Sequence, residues 1–202
     1  MLLNPFERRL VSGWWRRTIV RRYDLPRLRR LGADLVGKEV LEMGCGHGYG
    51  VEACYDLMGA KFVHAFDPDP QLVAATRLAM TRSGRFSSRP AAKLWQGNAG
   101  EIPSADAQYE AVLSLQVLHH VEEWRAAVEE VARVLRPGGS FLLAESLQDF
   151  LEHPVFGRWM DHPSEDRFDR GELERELQRH GLEIVGQKGG RWMTWIHAKR
   201  DG

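Results

Sequence analysis

A glycine-rich turn with an acid in front of it is the part of the sequence best suited to chemistry. The run Val-Leu-Glu-Met-Gly-Cys-Gly-His-Gly covers residues 40–48, and Glu42 stands two positions before Gly44. Glycines permit a sharp turn and let backbone lie directly against a ligand. The Gly-x-Gly-x-x-Gly dinucleotide fingerprint is absent, because its third glycine position falls on Tyr49 or Val51, and no P-loop Gly-Lys-Ser/Thr follows. The turn therefore predicts a nucleoside site that does not grip a pyrophosphate.

The charge of the acid narrows the choice of nucleoside. A carboxylate at Glu42 would repel a pyrophosphate, whereas it suits a ligand that carries an ammonium and a sulfonium group. S-adenosylmethionine has both groups. A strand-end acid can also serve only to shape the turn, and a glycine loop alone does not decide between these roles. We take S-adenosylmethionine as the expected cofactor, with S-adenosylhomocysteine as its product.

A second acid follows at the spacing that nucleotide-binding sheets use for ribose. Asp67 comes directly after the run His-Ala-Phe at residues 64–66 and is followed by Pro68. An acid about twenty residues beyond a glycine turn binds ribose hydroxyls in such sheets. Asp67 or Asp69 could instead cap the helix expected to begin near Pro70. We assign ribose binding to Asp67 and capping to Asp69.

These side chains need a scaffold that brings strand ends together, and the chain has the pattern of one. From about residue 39, short apolar runs alternate with helical patterns, which is typical of parallel strands joined by crossover helices. The predicted strands are Glu39 to Met43, Lys61 to Phe66, Lys93 to Gln96, Glu110 to Leu115, Gly139 to Glu145, Leu182 to Lys188 and Met193 to Lys199. The predicted helices are Tyr49 to Met58, Pro70 to Arg82, Val121 to Leu135 and Gly171 to His180. The class is α/β, with ligands expected at the carboxyl ends of the strands.

Ordered motifs over residues 39–145 resemble the class I S-adenosylmethionine-dependent methyltransferase family. They are the glycine turn, the Asp67-Pro68 pair, the loop at residues 96–103, the segment at 109–121 and the segment at 131–143. The resemblance is to type 11 members, especially ubiquinone and menaquinone biosynthesis methyltransferases. It implies a three-layer Rossmann-like sandwich with a mostly parallel seven-stranded sheet in the order 3-2-1-4-5-7-6, strand 7 being antiparallel. The short segment from Asn98 to Gln108 leaves little room for the usual helix after strand 3, which we expect to shrink to a turn.

The resemblance also assigns roles around the cofactor. The residues it places there are Glu42, Gly44, Gly46, Asp67, Pro68, Asn98, Ala99 and Leu115. Glu42 would orient the glycine loop and the methionine ammonium, and the Leu115 backbone would meet the methionine portion. At the adenine amino position the family usually has Asp. Here Asn98 offers a carbonyl that accepts a hydrogen bond without supplying charge, and Ala99 would offer its backbone N–H to the ring.

No catalytic residue is assigned from the sequence. Methyl transfer from a sulfonium depends mainly on alignment in a water-poor pocket, so a base is needed only when the acceptor must lose a proton. His119 and His120 would be the nearest bases, although an imidazole there can equally pack or cap the next helix. His153 and His162 lie among aromatic residues that would line an acceptor pocket or form a small lid core.

The chain of 202 residues, 43% of them hydrophobic, predicts one methyltransferase domain over residues 1–202. We expect residues 1–38 to form a basic, amphipathic helical segment and residues 146–170 to be an insertion near the acceptor pocket. The basic segment should cover the cofactor, or else contact anionic lipid at a membrane surface. The acceptor is expected to be a small molecule.

Composition excludes several other classes. The 28 basic residues equal the 28 acidic ones, so no global field draws the protein toward nucleic acid. The two cysteines lack metal-ligand spacing and fit neither a disulfide framework nor a zinc site, so we expect no metal. No apolar leader follows Met1, and with the unpaired cysteines this predicts a cytoplasmic location. The alternatives left open are a methyltransferase-like module that binds the cofactor without catalysis and an NAD-dependent oxidoreductase.

Overall fold

One sheet carries the candidate site. The computed structural model describes residues 14–82, 92–153 and 167–202. Its strands are β1 (Glu39–Met43), β2 (Phe62–Asp67), β3 (Lys93–Gln96), β4 (Tyr109–Leu115), β5 (Leu135–Ser146), β6 (Leu182–Gly189) and β7 (Met193–Arg200). Within the described residues they form a seven-stranded sheet in the order β3-β2-β1-β4-β5-β7-β6. The predicted order and α/β class are confirmed.

The pairing of the strands brings the site residues to one edge. β1 pairs in parallel with β2 on one side and with β4 on the other, and Met43 is opposite both Phe66 and Ser114. β7 runs antiparallel to both β5 and β6, as predicted. The carboxyl ends of β1, β2 and β4 therefore lie side by side, which is where ligands bind in sheets of this kind.

Helices cover both faces of the sheet. They are α1 (Trp14–Ile19), a π-helical turn (Val20–Asp24), α2 (Leu25–Arg30), α3 (Tyr49–Asp56), α4 (Pro70–Arg82), α5 (Trp124–Val134), α6 (Gln148–Leu151) and α7 (Arg170–Arg179). Residues of α2 and α3 belong to the apolar core on one face, and residues of α5 and α7 to the core on the other. Among these helices, none is both long and apolar enough to span a bilayer.

Several predicted boundaries differ from the structure, and the two largest differences are at the starts of α5 and β5. The helix predicted from Val121 begins at Trp124, because Leu118–His120 form a 3-10 turn and Val121 is extended. Arg-Pro-Gly-Gly at residues 136–139 ends that helix as expected, but it lies inside β5 as an irregularity, since the register moves from Tyr109 opposite Leu135 to Ala111 opposite Ser140.

The segment between β3 and β4 has no helix, which confirms the expected shortening. Arg133 on α5 holds this segment instead. Its guanidinium donates to the carbonyls of Ile102 and Ser104, both at 2.8 Å, and to the Asp106 carboxylate at 2.7 Å. Of the predicted insertion at 146–170, residues 154–166, including His162, lie outside the described part of the chain, as does the start of the basic segment at residues 1–13.

Trp124 anchors α5 in the core, so its removal should strongly destabilise the fold. The residue is 1% exposed and its indole packs against Phe168 at 4.7 Å between ring centroids. The Arg125 guanidinium lies over the indole ring, 4.3 Å from the ring centroid. We expect Trp124→Ala to lower the free energy of unfolding by about 3–5 kcal/mol, because a large cavity forms. Trp192→Ala is the control, since that side chain is 43% exposed, and should change it by about 0.5 kcal/mol or less. Urea titration measures both, and equal losses would contradict the assignment.

Candidate functional site

A cavity of about 1140 Å³ opens at the carboxyl edge of β1, β2 and β4. Every residue that the sequence assigned to the cofactor lines it: Glu42, Gly44, Gly46, Asp67, Pro68, Asn98, Ala99 and Leu115. The structure thus brings together residues from four separate segments. Their roles toward a ligand still depend on the chemistry of each group.

Glu42 is the most unusual group on this lining. The residue is 3% exposed, and among the residues that the structure describes its Oε2 atom has no hydrogen-bond partner. Burial raises the pKa of Glu42 well above its usual value and nearby Asp67 raises it further, while Arg16 and the Val51 amide oppose the rise. A buried carboxylate without full pairing is costly to ionise. A cation placed in the cavity would offset that cost.

Two glycines make room for this arrangement. A Cβ atom on Gly50 would lie 1.7 Å from Oε1 of Glu42, so no other residue fits there without moving the carboxylate. Gly44 has a φ of +65° and a Cβ on it would lie 2.6 Å from the Val117 side chain. Glycine is therefore required at both positions, and the backbone at Gly44 approaches the cavity closely.

Asp67 ties the glycine turn to the end of β2. One carboxylate oxygen accepts from the Gly46 amide at 3.0 Å and the other from the Asp69 amide at 2.9 Å. Burial raises the pKa of Asp67, and these two amides oppose the rise. Each carboxylate oxygen keeps a second acceptor site for a ligand hydroxyl. Asp69 accepts from the Gln71 amide at 2.9 Å, which is the predicted helix cap.

The loop after β3 forms the neighbouring wall. The Asn98 carbonyl accepts from the Gly100 amide at 3.2 Å and the side chain is exposed, whereas Ala99 is buried. Pro68 lies across from this loop, and its carbonyl accepts from the Gln96 amide group at 3.2 Å. A flat apolar group could therefore lie between Pro68 and the Asn98–Gly100 turn, with amide groups at its edge.

The N-terminal helices complete the cavity through contacts that the sequence did not predict. Arg16 donates to the Leu115 carbonyl at 3.1 Å and to Asp24 at 3.2 Å. Asp24 is fully buried and also accepts from the Trp195 indole at 3.0 Å. Burial raises the pKa of Asp24, which the charge of Arg16 opposes. The excess of arginine in this segment was the available signal, but it did not indicate the partners.

The remaining wall of the cavity is mostly apolar and aromatic. It includes Trp15, Ile19, Tyr23, Phe150, Leu151, Met193 and Trp195. This wall comes from the N-terminal helices, α6 and β7, and lies outside the glycine-turn segment. His153, predicted for this pocket, packs against Trp192 at 5.7 Å between centroids and is not among the described residues that line the cavity.

His119 and His120 both line the cavity, and a carboxylate holds the first. Nδ1 of His119 lies 2.7 Å from Oε2 of Glu145, at the end of β5. Glu145 is fully buried and was not identified from the sequence, where the only signal was an acid closing an apolar strand. Among the described residues, no group of His, Cys, Asp or Glu side chains could hold a metal ion.

Comparisons with known proteins agree with the motifs. The family model described as a methyltransferase domain matches residues 41–143. A probable S-adenosylmethionine-dependent methyltransferase of Mycolicibacterium smegmatis is 37% identical over 116 residues, which cover 57% of this chain and 41% of that protein. A fatty-acid O-methyltransferase of the same species is 31% identical over 161 residues, which cover 77% of this chain and 48% of that protein. The chain thus spans less than half the length of these relatives.

The fold itself has close counterparts among solved structures. A S-adenosylmethionine-dependent methyltransferase from Aquifex aeolicus superimposes with a TM-score of 0.75 over 97% of this chain and 98% of that one. The two sequences are 17% identical, so this likeness shows the fold alone.

The raised pKa of Glu42 should appear in the pH dependence of stability. A carboxyl whose folded pKa exceeds its unfolded value binds its proton more tightly in the folded state. Its contribution is therefore fully present at acid pH and is lost as pH rises from the ordinary glutamate value of about 4.3 through the raised one. Glu42→Gln removes this loss, so the free energy of unfolding of E42Q should fall less than that of wild type between about pH 5 and pH 8.

Urea unfolding at both pH values measures the effect. Glu183→Gln is the control, because Glu183 is exposed on β6. It should retain the pH slope of wild type. The same slope in E42Q as in wild type would show that Glu42 does not titrate abnormally.

Proposed function

The chain belongs to the methyltransferase domain family, and from this premise we propose that it transfers a methyl group from S-adenosylmethionine to a small-molecule acceptor. One observation carries the proposal. The residues assigned to the cofactor surround a single cavity, and the unpaired oxygen of Glu42 is buried on its lining. That oxygen is an acceptor for a cationic ligand group, and its chemistry fits the ammonium of the cofactor.

The other lining groups fit the rest of the cofactor. Asp67 has acceptor capacity left for the ribose hydroxyls after binding the Gly46 and Asp69 amides. The Asn98 carbonyl and the Ala99 amide provide an edge for adenine, with Pro68 against its face. When bound, S-adenosylmethionine supplies a methyl group on a sulfonium, which is already a good leaving group.

What the protein adds is alignment and the exclusion of water. The glycine turn binds the ligand on one side. Arg16 connects the N-terminal helices to the end of β4 and so holds another wall of the cavity in place. Holding two reactants in line removes much of the entropic barrier of a bimolecular displacement. The aromatic wall keeps the reacting centre poor in water, so that an acceptor group meets the methyl group without its hydration shell.

We infer an apolar acceptor from the composition of that wall. The aromatic and aliphatic residues of the N-terminal helices, α6 and β7 would bind hydrocarbon rather than a polar molecule. A fatty-acid O-methyltransferase is among the relatives, and the sequence resemblance to ubiquinone and menaquinone methyltransferases adds quinols as a class. Both are apolar molecules with an oxygen at one end.

The basic N-terminal segment serves this site by closing it. Arg16 binds Asp24, and the Nε atom of Arg17 donates to Glu52 at 3.0 Å, so these charges are used inside the protein. Arg22, Arg29 and Arg30 are exposed, and their contact with anionic lipid remains a prediction. Sedimentation with phosphatidylglycerol vesicles tests it, and absence from the vesicle pellet at low salt would contradict it.

A module that binds the cofactor without catalysis is the second candidate. One observation favours it: Asn98 is a neutral amide where the family usually has a carboxylate. Calorimetry with S-adenosylmethionine and with NAD, followed by measurement of S-adenosylhomocysteine released with quinols, phenols, fatty acids and amines, separates the candidates. Binding with turnover supports the enzyme, binding without turnover across the panel favours the module, and binding of NAD alone would overturn both.

Asp67→Ala tests the cofactor assignment. The substitution removes the ribose contacts and frees the Gly46 amide, and each hydrogen bond contributes on the order of 1 kcal/mol. We therefore expect S-adenosylmethionine affinity to fall by about tenfold or more. Asp34→Ala is the matched control, because Asp34 accepts from the Val36 amide at 3.0 Å but does not line the cavity. Calorimetry measures both variants, and an unchanged affinity in D67A would refute the role.

A further inference from the structure

The carboxylate behind His119 is arranged as a partner for an imidazole. Oε2 of Glu145 lies 2.7 Å from Nδ1 of His119, and the other oxygen accepts from the Val117 and Leu118 amides at 2.9 and 3.0 Å. Ser114 Oγ adds a longer contact to the same oxygen at 3.2 Å. A carboxylate oxygen in contact with a ring nitrogen acts as the acceptor, so we assign Nδ1 of His119 as the donor to Glu145. In this tautomer Nε2 is the basic nitrogen of the ring.

The imidazole stands on the reacting side of the cavity. His119 follows Val117, whose side chain meets the position that a Cβ would take on Gly44, so the turn that carries His119 faces the glycine turn. The ring lines the same cavity as Leu115, Phe150 and Trp195. His119 therefore belongs to a cavity whose lining includes both the residues assigned to the cofactor and the apolar wall assigned to the acceptor.

The backbone that precedes His119 has an unusual conformation. Gln116 has a φ of +62°, which is uncommon for a residue with a side chain. Its amide N–H donates to the Ala144 carbonyl at 2.8 Å, and its side-chain oxygen accepts from Ser146 at 2.6 Å. These contacts with β5 fix the direction in which the chain leaves β4. They place His119 over Glu145, and such strain at a cavity is typical of functional sites.

We propose that His119 is the general base of the reaction, positioned by Glu145, and that the acceptor group is accordingly a weakly acidic hydroxyl on an apolar molecule. This inference rests on the proposed methyl transfer. A carboxylate acceptor is already ionised at neutral pH and needs no base, whereas a phenol or alcohol must lose its proton as it attacks. Of these two kinds of oxygen acceptor, only the hydroxyl needs a base oriented by a buried carboxylate.

The step balances without any further reactant. The acceptor oxygen forms a bond to the methyl carbon while the carbon–sulfur bond breaks, and the bonding pair leaves with sulfur as a neutral thioether. The hydroxyl proton moves to Nε2 of His119. The resulting imidazolium is stabilised by the adjacent Glu145 carboxylate and later returns the proton to solvent.

His119→Gln is the decisive variant. A glutamine can still donate a hydrogen bond to Glu145, which keeps the turn in place, but it has no basic nitrogen. His119→Ala provides a second variant. The matched control is His180→Gln, because His180 also lies against a carboxylate, 3.1 Å from Glu176, on the surface of α7 away from the cavity.

The assay uses S-adenosylmethionine with a labelled methyl group and four probes: octylphenol, decanol, decanoic acid and decylamine. We expect label in the hydroxyl compounds as ethers, which survive mild alkali and release methyl iodide with hydriodic acid. On these compounds H119Q should lower kcat by about 100-fold or more, in the range that general bases contribute, with acceptor KM and cofactor affinity nearly unchanged. H180Q should keep the wild-type kcat, and added imidazole should partly restore H119A.

The outcomes separate this inference from the proposed function. Methylation of decanoic acid or decylamine alone, or a kcat for H119Q close to that of wild type, would overturn the base while methyl transfer stands. Cofactor binding with no labelled product from any probe would overturn both. Nitrogen NMR of the imidazole gives a readout without turnover: His119 should carry its proton on Nδ1 in wild type and lose that preference in Glu145→Gln. An Nε2-protonated ring in wild type would contradict the proposal.

Discussion

The close approach of the Glu42 carboxylate to the backbone of α3 is the contact on which the rest of the site depends. Oε1 occupies the space where any residue other than glycine at position 50 would place its Cβ. The glycine turn can therefore fold back over the end of β1 only because that space is free. The same approach buries the carboxylate and leaves its second oxygen without a partner in the described part of the chain, which disfavours the charged form in the free protein. Stability of the free protein and affinity for a cation are thus linked at one side chain.

The positive charge of Arg16 partly offsets the effect of burial on Glu42. Arg16 is the cation that opposes the rise in the pKa of Glu42, and it reaches the cavity from the N-terminal helices with Asp24 behind it. Because Asp24 is itself buried, it forms a hydrogen-bonded ion pair with Arg16, and the two side chains cannot easily separate. The charge around Glu42 is therefore set by a second acid near the sheet, Asp67, and by Arg16, which lies outside the segment matching the family.

The sequence predicted the sheet well because its signals are local. The runs that form β1 and β3 and the helix α4 were predicted with their observed bounds, since alternation and turn residues mark them directly. The contacts of Arg16 and His119 could not be predicted in the same way. Arg16 meets Leu115 across 99 residues and His119 meets Glu145 across 26, and nothing in the local pattern indicates which buried acid or carbonyl such a side chain will find. The boundary error at α5 has a related cause, because the 3-10 turn that carries His119 is shaped by Glu145 rather than by its own residues.

The bond between Asp24 and Trp195 has a consequence for the order in which the molecule is built. The partners are 171 residues apart, and β7, which carries the indole, fits between β5 and β6. During synthesis the N-terminal helices emerge before β7, so they can contact Glu52 and Leu115 first, and the bond from Asp24 to Trp195 forms only after β7 has joined the sheet. The part of the cavity around the glycine turn can thus form on the ribosome before β7 fixes the wall that the N-terminal helices provide. A nascent chain would expose Trp15 of α1 during that interval, which makes this helix a segment that needs protection from aggregation.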